Sequence, residues 1–337
     1  MAATTGTTWN CYDANTMTQA EVYGRVLAEL GEKDSRIVAL TADLANSTKI
    51  GIFGKAHKGR LYNVGIAEQN LMSVAAGMAK AGLIPFASTF AAFASMRAAE
   101  QVRTDICYQN LPVKIIATHS GVSFGQAGST HHCLEDLAIM RSFPNMTVIA
   151  PADGIETANA VRASLELPGP VYIRIGRGFE PAFYDKEDYG FKIGKAVRLR
   201  EGTDLAVIAC GIAVLQAMEA AKVLAAEGIS ARVINMHTLK PLDREEVLAA
   251  VLDTRRVLTV EEHSVLGGLG SAVADVIAES GKGCAFRKVG WQDEFSVVGY
   301  PEDLYTHYGV DADGIALAAR EMLGKDFEAD ENWDDEV

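Results

Sequence analysis

Short apolar runs, each about as long as one buried strand, recur along this chain between stretches of helical periodicity. Residues 37–41, 83–87, 113–118, 147–150 and 171–175 read as strands buried on both faces, with helices over about 91–108 and over 155–165. Parallel strands buried on both faces must be joined by crossovers, so the alternation predicts a doubly wound α/β sheet. Thr18 with Glu21 three residues on is a capping-box signature ahead of a helix running through Leu30 and ending at Gly31. A second, smaller α/β set follows, with strands at 205–209, 232–235 and 256–260 and helices at 214–227, 244–252 and 272–280. The expected division is an N-terminal extension over 1–17, a first domain over 18–178, a linker over 179–203, a second domain over 204–325 and an acidic tail over 326–337.

Composition removes several classes of function. A net charge of −13 argues against a grip on nucleic acid or anionic lipid, both of which need clustered Lys and Arg. Five widely spaced cysteines without a Cys-x-x-Cys pair indicate neither a zinc site nor a disulfide framework, so a reduced, cytoplasmic setting is expected. Residues 1–8 lack a basic region followed by an apolar core and are not read as a secretory signal. The apolar stretch 71–96 is cut by Lys80, Gly82 and Pro85 into pieces too short to span a bilayer. The chain carries neither Gly-x-x-x-x-Gly-Lys-Ser/Thr nor a strand-anchored Gly-x-Gly-x-x-Gly, and it has no His-Glu-x-x-His. Gly267-Gly268-Leu269-Gly270 opens a helix but reads as tight packing.

What remains is a set of polar groups placed after strands. Glu68 stands where a short strand at 61–64 passes through Gly65 into a helical pattern at Leu71, Val74, Ala75, Met78 and Ala79, which puts the carboxylate at a helix N-terminus. Small residues around it, among them Gly65, Ala67, Ala75, Ala76, Gly77 and Ala79, suggest that something large presses close. The loop 42–48, with Asp43 and Ser47, and the glycine- and serine-rich loop from His119 to His132 both follow strands, where open α/β sheets place ligand groups. Three histidines in the second loop (His119, His131, His132) point to a site, and Arg177, set between two glycines, suits an anion.

These pieces resemble a family. Ala42-Asp43-Leu44 with Ser47, Gly-Ile-Ala-Glu-Gln-Asn at 65–70, Pro85-Phe86-Ala87-Ser88-Thr89-Phe90, Pro151-Ala152-Asp153-Gly154, Leu239-Lys240-Pro241-Leu242-Asp243 and Val260-Glu261-Glu262-His263 are similar to the C-terminal half of transketolase, from about Thr18 to Leu323. The resemblance implies a pyrimidine-binding domain followed by a transketolase C-terminal domain, thiamine diphosphate as cofactor, and Mg2+ held with the diphosphate by a partner subunit, in a heterotetramer. It implies that Glu68 shares a proton with a ring nitrogen of the aminopyrimidine, that Phe90 and Phe93, three apart on one helical face, form the wall for that ring, and that Asp43 lies near the thiazolium. It further implies that Ser47, His119 and Arg177 hold the sugar's phosphate and that His131 contacts donor hydroxyls near the reacting carbon. The implied activity moves a two-carbon ketol unit from a ketose phosphate to an aldose. Three positions depart from the family pattern: Ala127 stands where an aspartate reads a substrate hydroxyl, Met96 replaces a tyrosine, and Ala20 or a neighbour replaces an arginine. The beta subunits of 2-oxo acid dehydrogenases and 1-deoxyxylulose phosphate synthase share related segments and give the alternative activities, and a cofactor-free scaffold is the non-enzyme alternative.

Overall fold

The computed structural model describes residues 16–178 and 181–324; the expected acidic tail and nearly all of the N-terminal extension lie outside them. Helix α1 (Gln19–Lys33) starts on the expected capping box, in which the Thr18 side chain accepts from the Glu21 N–H and the Glu21 carboxylate accepts from the Thr18 N–H. It runs past Gly31, because that glycine is buried where a side chain would strike Phe53 and His57 of the next helix, α2 (Gly51–Ala56), and its C-cap. The glycine serves close packing there and does not end the helix.

The first sheet has seven strands in the order β10, β5, β6, β4, β3, β1, β2. Six of these are parallel: β1 (Ile37–Thr41), β2 (Leu61–Asn63), β3 (Ile84–Phe90), β4 (Lys114–Thr118), β5 (Thr147–Ile149) and β6 (Val171–Arg174). Helix α3 (Glu68–Lys80) packs on it through Leu71, Met72, Ala75, Ala76 and Ala79. Burying one such leucine contributes about 1.5–3 kcal/mol, so this face holds the helix in place. The expected helix over 91–108 is two π-helical turns, Phe93–Arg97 and Val102–Cys107, around one short α-helical turn, α4 (Ala99–Gln101). Helix α5 (Asp136–Ser142) shares the core of α3 on one face of the sheet, whereas α6 (Gly154–Ser164), capped by Asp153, packs with α1 on the other.

The second sheet has the order β12, β11, β8, β9, β7. Its strands are β7 (Val197–Arg200), β8 (Leu205–Ala209), β9 (Ala231–Asn235), β11 (Arg256–Ser264) and β12 (Ala285–Trp291), with helices α7 (Ala213–Ala226), α8 (Arg244–Thr254), α9 (Leu269–Ser280), α10 (Pro301–His307) and α11 (Ala312–Leu323). Two features depart from a simple linker between domains. The stretch expected as linker carries β7, which pairs antiparallel with β9, and its earlier part lies against the first domain, where the Phe183 and Tyr184 N–H groups donate to the buried Asp153. In addition β10 (Thr238–Lys240), from the second half of the chain, pairs antiparallel with β5 at the edge of the first sheet. The sequence reading does not include this strand, whose pairing partner β5 lies far away in the chain.

Candidate active site

Strands β1, β3, β4 and β6 are neighbours and parallel, so their carboxyl ends share one edge of the sheet. Asp43 follows β1 by two residues, Phe90 is the last residue of β3, His119 follows β4 directly, and Arg177 comes three residues after β6. Four segments far apart in sequence therefore deliver their functional groups to one place, as open α/β sheets do at this edge.

The centre of the place is a cluster of rings. Phe90 stacks on His119 with centroids 3.9 Å apart and on Phe93 at 5.7 Å, while His131 meets Phe93 and Phe124 edge-on, each at 5.6 Å. The structure corrects the expected arrangement of the two phenylalanines: Phe90 ends a strand and Phe93 opens a π-helical turn, and the corner between them brings the rings together. His119 is nearly fully buried, at 4% exposure. Burial, with added repulsion from Arg177 and His131, pushes its pKa down to about 3, so the ring is neutral at physiological pH. Its Nδ1 lies 2.9 Å from the Thr118 hydroxyl. The exposed Arg177 guanidinium lies over Phe124, 4.3 Å from the ring centre, and pairs with no carboxylate among the described residues. A cation so placed can take an anionic ligand.

Glu68 is the first residue of α3, and its side chain is only 2% exposed. It accepts from Arg97 Nη1 at 3.0 Å, and the same guanidinium lies 4.0 Å from the centre of the Phe93 ring, which ties the carboxylate to the ring cluster. The small residues around it divide in two. Ala75, Ala76 and Ala79 are consumed in packing α3 on the core, whereas space is open beside Gly65 and Gly77. Asp43 is exposed and exchanges two hydrogen bonds with Asn63, at 2.9 and 3.0 Å. Ser47 is exposed in the same loop. Ala127 closes a short turn, Gly125–Ala127, midway between His119 and His131.

The loop that carries Phe124 and His131 is pinned from the second domain. Gly121 lies at φ +56°, and a side chain there would collide with the Glu262 carboxylate; this close approach lets the Val122 N–H donate to Glu262 at 3.0 Å. Glu262 also accepts from the Tyr305 hydroxyl at 2.9 Å and faces Arg174 at 3.6 Å, and Arg174 pairs with Asp136 at 3.0 Å. Burial pushes the Glu262 carboxyl up to about 7, against the opposing pull of Arg174 and Tyr305. Sequence reasoning missed Phe124, Arg97 and Asn63. Their signals are modest: a phenylalanine inside a glycine-rich loop, an arginine four residues after Phe93, and an asparagine two before Gly65.

Residues 15–179 match the transketolase pyrimidine-binding domain and residues 194–315 the transketolase C-terminal domain. The chain belongs to the transketolase family. Among its transketolase relatives, a 6-deoxy-6-sulfo-D-fructose transketolase subunit from Clostridium sp. (strain MSTE9) is 43% identical, over 90% of this chain and 93% of the relative. An apulose-4-phosphate transketolase subunit from Phocaeicola vulgatus is 40% identical, over 89% of this chain and 95% of the relative. In a solved structure described as a split gene transketolase, inactive beta4 tetramer, the chain is 47% identical and superposes with a TM-score of 0.82, over 91% of this chain and 98% of that one. Transketolase pyrimidine domains imply thiamine diphosphate, and the residues present fit its aminopyrimidine: flat rings at Phe90 and Phe93 suit its faces, and the buried Glu68 carboxylate suits a ring nitrogen.

Proposed function

We propose that this chain is one subunit of a split transketolase that moves a two-carbon ketol unit from a ketose carrying an anionic terminus to an aldose acceptor. The observation that carries the reading is the meeting of Glu68, Phe93 and the Phe90–His119–His131 ring cluster at one sheet edge. When bound, thiamine diphosphate supplies the electron sink that lets a carbon–carbon bond next to a carbonyl break. This chain's residues do the rest of the local work. Glu68 holds a proton at the ring nitrogen, and Phe90 and Phe93 orient the ring. Neutral His119, with Ser47 and Arg177, holds the sugar's anionic end, and His131 contacts the donor hydroxyls near the reacting carbon. With the cofactor bound, Asp43 would face the thiazolium.

The partner in this reading carries the diphosphate-binding domain and Mg2+, and the two chains work as a heterotetramer. Two relatives covered over nine tenths of their length are named as transketolase subunits, which favours this reading over the dehydrogenase and synthase alternatives. The same relatives name two different sugars, so Ala127, which removes a carboxylate acceptor, is assigned to the choice of a modified ketose. Calorimetry on the isolated chain should give no tight binding of thiamine diphosphate with Mg2+, and ketol transfer should appear only with the partner added. Tight binding by the chain alone, or lipoamide-coupled decarboxylation by the pair, would overturn the reading.

A further inference from the structure

Arg97 has no part in the function proposed above, yet it touches both groups on which that function depends. It closes the π-helical turn Phe93–Arg97, in which the Ala98 N–H reaches back to the Phe93 carbonyl at 3.2 Å. π-Helical turns recur where a helix must present a side chain to a site. Here the turn leaves the guanidinium stacked on Phe93 at 4.0 Å and bonded to Glu68 at 3.0 Å. The carboxylate is 2% exposed and the arginine side chain 48% exposed, so the pair has a fixed, buried half and a movable, solvent-facing half.

A guanidinium is flat and presents N–C–N along one edge. An aminopyrimidine is also flat, presents N–C–N along an edge, and would use the same two groups, with its face on Phe93 and a ring nitrogen on Glu68. Two planar groups cannot both lie in van der Waals contact with one ring face. We propose that Arg97 is an internal stand-in for the aminopyrimidine: without cofactor it covers Phe93 and keeps the buried carboxylate paired, and it swings off both when the cofactor enters. An unpaired buried carboxylate is strongly disfavoured, which gives the pairing its purpose in a chain that is made apart from its partner. The proposal rests on the reading that Glu68 and Phe93 take the pyrimidine, and it predicts that Arg97 competes with the cofactor.

The test measures equilibrium binding of thiamine diphosphate with Mg2+ by calorimetry on the complex of this chain with its partner subunit. Removing an internal competitor raises the fraction of open sites, so R97A should bind several-fold tighter than wild type, and R97Q, which stacks without pairing as an ion, should lie between them. A second arm uses the full-length isolated chain and the free probe 4-amino-5-hydroxymethyl-2-methylpyrimidine, followed by saturation-transfer NMR. Transfer to the probe should appear in R97A, or in R97Q if R97A does not fold, and should be lost again in the double variant with E68Q. Unchanged or weaker cofactor binding in both Arg97 variants would overturn the stand-in role while leaving the Glu68 assignment intact, provided E68Q or F93A still weakens binding. If E68Q and F93A also leave binding unchanged, the reading of the site falls and the stand-in role falls with it.

Discussion

The two sheets of this protein end in different ways, and the contrast separates a site from a well-packed edge. At the carboxyl edge of the first sheet, Phe90, His119, His131 and Arg177 face one another with no carboxylate on the arginine among the described residues. At the corresponding edge of the second sheet, β11 carries Glu261, Glu262 and His263 just before its last residue, all buried to 2% exposure or less. There the polar groups satisfy one another. Glu261 accepts from the Leu269 and Gly270 N–H groups at 2.6 and 2.8 Å, filling the N-terminus of α9 with the chain's own carboxylate. A side chain at Gly268 would strike Glu261, so the glycines there serve packing, as the sequence suggests. His263 donates from Nδ1 to the Ser264 carbonyl at 2.7 Å and accepts at Nε2 from the Ala138 N–H at 3.4 Å. Both edges have helix N-termini, glycines and charged residues, and only the first leaves functional groups unanswered. The same architecture therefore hosts a site in one half and an internal brace in the other.

The sharpest way to break this contrast is to remove a carboxylate from each edge. E68Q should leave the fold intact and reduce turnover of the reconstituted complex by a factor on the order of hundreds or more, as expected for a lost proton-sharing partner. Near-normal turnover in E68Q would remove Glu68 from the chemistry. E261Q should do the reverse. It loses one of two charged acceptors at a buried helix terminus, so unfolding in urea should show a loss of about 1–3 kcal/mol, with turnover of the surviving folded complex near that of wild type. A catalytic defect in E261Q larger than its stability defect would mean that the second edge takes part in the reaction.

The smallest effect concerns selectivity. A127D restores a carboxylate in the loop between His119 and His131, and it should shift the ratio of kcat/KM for xylulose 5-phosphate over a modified ketose toward the former by about 1–3 kcal/mol at most. A ratio unchanged within a factor of about two would show that this position does not set the choice of sugar.

Much of the fold was legible because its signals are local. Buried parallel strands such as Ile37–Thr41 and Lys114–Thr118 have uninterrupted apolar centres, and the capping box at Thr18 and Glu21 announces α1 within four residues. Glu68 was legible for the same reason, since strand, glycine and helix follow one another directly. What escaped depends on residues distant in sequence. Gly31 looks like a helix end until Phe53 and His57 are seen against it. Strand β10 has meaning only beside β5, about ninety residues earlier. Phe90 and Phe93 look like one helical face, and only the corner after β3 shows how their rings meet.

The sequence by itself determined the α/β class and the family resemblance and pointed to several polar groups that follow strands, because apolar periodicity and short motifs are written within a few neighbouring residues. Tertiary structure alone decided which of those groups meet. Burial against Phe90 neutralises His119, the π-helical turn carries Arg97 onto both Phe93 and Glu68, and Glu262 reaches across from the second domain to pin the loop at Val122. The physical reason is that a pKa, a stacking contact and a buried ion pair are set by distance and desolvation, which depend on packing between segments that the order of residues leaves far apart.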